Sequence, residues 1–233
     1  MSDAPSDPPA MPASTGEFAA RLASRLCHDF ISPASAIISG LDLLEDPNSK
    51  DLQAEALSLI ASSAKKLVDM LTFARAAYGG SASLETFESG QLEALARNVF
   101  DHVRPELDWA IAPQTFDKTT ARTLLNLAEM GAGALPMGGV AKLTTRTENG
   151  WTAVIVECRG PRLRLDPQVS GGVRGEPPPA GPAGKWVQAF YVFNQVREAG
   201  GAVACEQTED QVVFTAAVPQ GQSATNVAAQ TAP

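Results

Sequence analysis

The chain has 233 residues and a mass of 24.4 kDa, with 44% hydrophobic residues, 18 Lys+Arg against 26 Asp+Glu and a formal net charge of -8. That length holds one long domain or two small ones with a real core, and a pI near 4.8 offers no surplus of cations for phosphates, which argues against direct binding to nucleic acid or anionic membranes. Three scattered cysteines (Cys27, Cys158, Cys205) and two histidines leave neither a disulfide framework nor a zinc site and fit a reducing cytoplasm.

The N-terminus MSDAPSDPPAMPASTG lacks the positive and apolar regions of a secretory signal, and no run approaches the ~18 apolar residues of a membrane span. Residues 1–15 and 220–233 are poor in core formers and are expected to be disordered. A first helix is predicted from about Glu17 to Leu44, capped by Ser14 or Thr15 and stopped by Asp46-Pro47-Asn48. A second runs from about Lys50 to Tyr78 and ends on Gly79-Gly80. So short a connection makes an antiparallel hairpin.

A hairpin cannot bury its apolar face alone. The face of helix two, Leu52, Ala56, Leu59, Ile60, Ser63, Leu67, Met70, Leu71 and Ala74, suits one side of a four-helix bundle built by two chains, so a homodimer is expected; the other available cover is the chain's own C-terminal half. The composition changes around Tyr78 to Ser83, which separates a hairpin domain, 16–79, from a second domain, 84–219.

In the second domain, helices are predicted over Gln91–Val103, Thr119–Leu135 and Trp186–Ala199, and a short strand over Asp108–Ile111. Strands Val140–Thr147 and Trp151–Cys158 meet at Asn149-Gly150, a strong hairpin signal, and a second hairpin joins Ala202–Gln207 to Val212–Val218. A Pro/Gly-rich loop fills Arg159 to Gly184. The fold class is therefore a helical hairpin followed by an α/β sandwich of the α+β kind.

His28 is the informative position. At roughly 100° per residue, Phe18, Leu22, Leu26, Phe30, Pro33, Ile37, Leu41 and Leu44 share one side of helix one, and His28 falls opposite them, among Arg21, Arg25, Ser32, Ser35, Ser39 and Asp42. The string Arg25-Leu26-Cys27-His28-Asp29-Phe30-Ile31-Ser32-Pro33 resembles the H-box of two-component sensor kinases: a phospho-accepting His, an adjacent acid, a hydroxyl four residues on, then Pro. A neutral imidazole is a nucleophile near pH 7, and the adjacent acid can orient it or take its proton. Pro33 removes a backbone donor just beyond the site.

If the likeness to sensor kinases continued, the second domain would be a Bergerat-type ATPase. Thr123 to Met130 resembles its first nucleotide motif, but Met130 stands where a Mg²⁺-binding Asn is expected, and a thioether is no substitute for a hard oxygen ligand. Cys158-Arg159-Gly160-Pro161-Arg162 replaces the adenine-reading Asp-x-Gly-x-Gly, and the prolines of Glu176 to Gly184 remove the donors a phosphate nest needs. A degenerate Bergerat-like domain that binds no ATP is expected.

With these residues the chain resembles the ChpT family of alphaproteobacterial histidine phosphotransferases, also in Gly40-Leu41-Asp42-Leu43-Leu44-Glu45-Asp46-Pro47, His102-Val103-Arg104-Pro105, Leu107-Asp108-Trp109 and Trp186-Val187-Gln188-Ala189. The resemblance implies that His28 takes a phosphoryl group from the receiver aspartate of a hybrid histidine kinase of the CckA kind. It then passes the group to response regulators such as CtrA or CpdR, and the receiver supplies Mg²⁺. It makes His28 the acceptor, Asp29 its neighbouring acid, and Ser32 a residue that touches the phosphoryl group or else bonds back to its helix. Receivers are expected to dock through Arg21, Arg25, Phe30, Ile31, Ser35, Met70 and Leu71. His102, near a helix end, is read as structural. The rival readings are an active ATP-dependent kinase, opposed by Met130 and Cys158, and a non-enzymatic adaptor, opposed by the intact string from His28 to Pro33.

Overall fold

The computed structural model describes residues 15–47, 50–79, 86–181 and 183–220. The tails expected to be disordered, apart from Thr15 and Gln220, lie outside the described residues, as do Ser14, Asn48 and most of the expected domain boundary, 80–85.

Helix α1 spans Thr15–Glu45 and runs through Pro33; after a 3₁₀ turn, Lys50–Leu52, α2 spans Gln53–Tyr78. The two pack along each other as a hairpin. Their approach is closest at Gly40, where a Cβ atom would sit 2.6 Å from Ile60 Cγ1 and 3.2 Å from the Ala56 carbonyl oxygen. Only glycine leaves room for that crossing. Leu41, expected on the buried side of α1, is exposed in the single chain.

The remainder is α+β. In chain order it comprises β1 (Thr86–Glu88), α3 (Ser89–Phe100), β2 (Glu106–Trp109), β3 (Thr115–Asp117), α4 (Lys118–Gly133), β4 (Val140–Glu148), β5 (Trp151–Arg159), α5 (Pro167–Val173), α6 (Gly184–Glu198), β6 (Ala202–Gln207) and β7 (Val212–Pro219). Five strands form one sheet in the order β2-β4-β5-β7-β6, with β2 parallel to β4 and the other pairs antiparallel, and β1 pairs with β3 apart from it. Asn149 (φ 51°) and Gly150 (φ 78°) supply the left-handed pair that a tight β4–β5 turn requires.

The core follows from alternation. Val154, Val156 and Cys158 of β5 and Val212, Phe214, Ala216 and Val218 of β7 point to one face, against which α4 lays Leu124, Leu125, Leu127 and Ala128. A smaller cluster, Ala183, Trp186, Val187 and Phe190 of the α6 region, packs against Phe18 and Leu22 of α1 and so fastens the hairpin to the second domain.

Several elements differ from expectation for identifiable reasons. α3 begins two residues early because Glu88 and Gln91 form a reciprocal capping box. The strand expected over 108–111 lies at 106–109, in parallel register with β4 from Glu106↔Val140 to Trp109↔Leu143. β1 and β3 have three residues each, too few for an alternating signal. α5 interrupts the expected loop: Asp166 caps it by accepting from the Gln168 N–H at 3.0 Å, and Pro167 occupies the first turn, where its missing donor costs nothing.

Candidate functional site

The middle of α1 places His28 where the hairpin meets the second domain. Its side chain is 87% exposed, and Nδ1 lies 3.4 Å from Asp29 Oδ1. His28 lines a groove of about 880 Å³ whose walls are Arg21 and Asp29 of α1, Lys66 and Met70 of α2, His102 and Val103 after α3, Glu129 of α4, and Asp166 and Lys185 near α5 and α6. His28 thus stands at the mouth of a concave surface shared by both parts of the chain.

Ser32 and Ser35 are exposed on α1, near His28 on the helical wheel; Arg21 is half-buried and bonded to Glu17 Oε1 at 2.8 Å; Phe30 is half-buried. Ile31 and Leu71 are exposed and Met70 is half-buried.

Arg25 requires correction. Expected on the solvent-facing stripe as a docking residue, its side chain is only 12% exposed and points into the protein. Its guanidinium donates to Glu129 Oε1 at 2.7 Å and to the Tyr78 hydroxyl at 3.0 Å, while Nε lies 3.5 Å from Asp29 Oδ2. The helical wheel treats α1 as a two-sided rod, whereas α1 has a third side, against α6 and within reach of Glu129 on α4, that only the folded second domain creates. Burial works against the Arg25 charge, but Glu129, Tyr78 and Asp29 outweigh it and hold its pKa above the ordinary guanidinium value. Burial, with Glu129 next, pushes Tyr78 upward, so its hydroxyl keeps its proton.

Glu129, Gln188 and Asn126 complete this layer, and sequence reasoning missed their roles. Gln188 Nε2 donates to Glu129 Oε2 at 2.7 Å and lies 3.3 Å from Asn126 Oδ1, while Asn126 Nδ2 donates to the Arg122 carbonyl at 2.9 Å. The Arg25–Asp29 spacing, i to i+4, was legible as a helical ion pair, but nothing in the sequence signals a partner 104 residues away. On α4, Met130 is buried, and beneath the helix the Cys158 Sγ donates to the Gly131 carbonyl at 3.5 Å, its thiol pushed up to about 12 by burial.

A second contact joins the domains nearby. His102 Nε2 lies 2.8 Å from Asp69 Oδ2, and Lys65 Nζ donates to the same oxygen at 2.7 Å. Burial would raise the Asp69 pKa, yet its bonds to Lys65 and His102 hold the carboxyl below its ordinary value. With the folded value depressed, the stabilisation is complete above about pH 4, the unfolded carboxylate range, and is lost as pH falls through the folded value. Asp69→Asn is expected to lower stability by about 1 kcal/mol at pH 7. In urea melts the difference from wild type should narrow towards pH 3; a constant difference would mean that the carboxylate charge is not involved.

Among the described residues no helix is long and apolar enough to cross a membrane. Residues 89–211 match the protein family described as the histidine phosphotransferase C-terminal domain. Over 208 residues the chain is 35% identical to the protein phosphotransferase ChpT of Brucella abortus (strain 2308), covering 86% of this chain and 95% of that one. It also superposes on a solved bacterial phosphotransferase with a TM-score of 0.79 at 31% identity, covering 90% of this chain and all of the other. The family match in the α+β part and a relative alignable over most of the chain together establish that it belongs to the histidine phosphotransferases of the ChpT type.

Proposed function

We propose that the chain relays a phosphoryl group from the receiver aspartate of a hybrid histidine kinase, of the CckA kind, through His28 to the receivers of response regulators of the CtrA and CpdR kind. The observation that carries this reading is His28 itself, an exposed imidazole beside a carboxylate at the mouth of a concave groove, in a chain of this family. In the forward step the Nε2 lone pair attacks phosphorus, an N–P bond forms, the P–O bond of the acyl phosphate breaks, and the donor carboxylate leaves with the electron pair. Asp29 Oδ1, beside Nδ1, accepts that ring proton's hydrogen bond and relieves the positive charge that develops. The onward step is the reverse reaction on a second receiver. Phosphoryl transfer of this loose kind asks for alignment and charge stabilisation, and the latter is left to the receiver's own Mg²⁺ and lysine. Ser32 and Ser35 offer hydroxyls on the same exposed side as His28.

No ATP enters this scheme. Glu129 and Asn126, from the stretch resembling a nucleotide motif, are bonded internally by Arg25, Gln188 and the Arg122 carbonyl, and Met130 and Cys158 are buried, which supports that reading.

The working form is a homodimer, but not through the α2 face expected from the sequence, of which Ala56, Ser63 and Ala74 are already buried within the single chain by packing on α1 and the second domain. On α1, Cys27, Ile31, Ala34, Ile38 and Leu41 alternate at four- and three-residue steps, as do Leu57, Ala61, Ala64, Val68 and Leu71 on α2, and every one is exposed or half-buried in the single chain. Two such seams are what a four-helix bundle buries. Ile31 and Leu71 fall on this seam, so a receiver docks through Arg21, Ser35, Met70 and the groove. Val68 is 61% exposed in the single chain, and a charge there would be buried unpaired at the proposed interface. Val68→Asp is expected to weaken dimerisation at least about 100-fold; a sedimentation profile unchanged at micromolar concentration would place the dimer contact elsewhere.

The relay is tested by incubating the protein with a receiver domain carrying labelled aspartyl phosphate, then adding a second receiver. Label that enters this chain, resists base but not acid, and moves on supports the relay, and none is expected from Mg-ATP alone. A chain that docks receivers yet takes up no label would be an adaptor.

A further inference from the structure

Taking His28 as the acceptor, as proposed above, we infer that Arg25 and Glu129 are positioning residues for the transfer: the second domain, through Glu129, sets the Asp29 carboxylate that orients the His28 ring. The connection is continuous. Gln188 of α6 holds one oxygen of Glu129 at 2.7 Å, and the other accepts from Arg25 at 2.7 Å. The same guanidinium, anchored also on Tyr78 at 3.0 Å, presents Nε to Asp29 Oδ2 at 3.5 Å, and the remaining oxygen, Oδ1, faces His28 Nδ1 at 3.4 Å.

Exposure declines along this path. The side chain of His28 is 87% exposed, Asp29 34% and Arg25 12%. A solvent-facing imidazole is free to turn and to choose its tautomer, and either freedom lowers the fraction of molecules in which Nε2 presents a lone pair to phosphorus. A carboxylate that was itself free would not cure this. Asp29 is restrained because Arg25 is, and Arg25 is restrained because Tyr78 of α2 and Glu129 of α4 hold it. Hydrogen bonds in resting sites are commonly long, so 3.4 Å is compatible with a bond that tightens when the receiver arrives. The second domain thereby has a task in transfer that uses no nucleotide.

The atoms of the step are those already given. Arg25 and Glu129 neither gain nor lose a proton; they keep Asp29 placed so that Nδ1 carries the hydrogen and Nε2 the lone pair.

The test combines kinetics with a tautomer readout. Long-range ¹H–¹⁵N spectra of histidine-labelled protein contain two ring systems, His28 and His102, and His102→Gln identifies the second. Wild type is expected to show His28 mainly as the Nδ1–H tautomer. Arg25→Lys keeps the charge but cannot span Tyr78, Glu129 and Asp29 together; it should shift His28 towards the Nε2–H form and slow transfer from a phosphorylated receiver about tenfold at saturation, with the KM for the receiver held within about twofold. Glu129→Gln should do the same more weakly.

The double variant Arg25→Glu, Glu129→Arg restores an ion pair between the domains but sets a second anion against Asp29. Recovery of the melting temperature with transfer still slow supports positioning; recovery of both would show that Arg25 is only a clamp between domains and overturn the inference. An unchanged tautomer in Arg25→Lys would overturn it as well. If wild type takes up no label, the relay reading fails instead, and the tautomer still decides the role of Arg25.

Discussion

His28→Ala is expected to reduce uptake of label from a phosphorylated receiver by at least about 10³-fold, to below detection, because the chain's other histidine, His102, is only 17% exposed and held on Asp69. The side chain is 87% exposed and its contact with Asp29 is a long 3.4 Å, so stability should stay within about 0.5 kcal/mol of wild type. That separation gives the experiment its force, since a dead but intact variant isolates chemistry from folding. His102 is the internal control. It lies 2.8 Å from Asp69 in the contact between domains, so His102→Gln should still accept label. Label that persists in His28→Ala and vanishes in His102→Gln would reverse the two roles.

Trp186→Ala should be among the most destabilising single changes, at about 4 kcal/mol and a fall in Tm on the order of 10 °C. Trp186 is 1% exposed, stacks on Phe190 with ring centroids 4.5 Å apart, and donates its indole N–H to the Glu176 carbonyl at 2.9 Å. Truncation therefore opens a cavity and strands an acceptor at once. Phe190 in turn meets Phe18 of α1 at 5.7 Å, so the damage should spread to the seating of the hairpin and with it the groove beside His28. Trp186→Phe, which keeps an aromatic ring but loses the donor and part of the indole's volume, should cost about 1–2 kcal/mol. Equal losses in thermal melts of the two variants would show that ring volume is not what matters there.

How much of this was legible in the sequence depended on whether the physics is local. Helices α1, α2, α4 and α6 and the hairpins β4–β5 and β6–β7 lie close to the expected segments, because periodic burial and Asn149-Gly150 act within a few residues. The three-residue strands β1 and β3 were not, since they exist only by pairing with each other across some thirty positions. α5 carried readable signals, an Asp166 cap followed by Pro167, masked by the glycines and prolines around them.

The candidate site divides the same way. His28, Asp29, Ser32 and Pro33 lie within six positions on one helix, so their placement around it is a property of the helix and the sequence alone determined it, together with the hairpin that carries it. Arg25 stands three residues before His28, and the same wheel misplaced it into solvent. Its position is decided by Tyr78, Glu129 and the packing of α6 on α1, groups 53 and 104 residues distant in the case of its two bonded partners. A helical wheel records which residues share a face but not how many neighbours the helix has. Folding supplies the third neighbour, and with it the groove of about 880 Å³, the Asp69–His102 contact and the buried guanidinium behind His28. These are long-range contacts whose energy depends on desolvation, and desolvation exists only once the chain has closed around them.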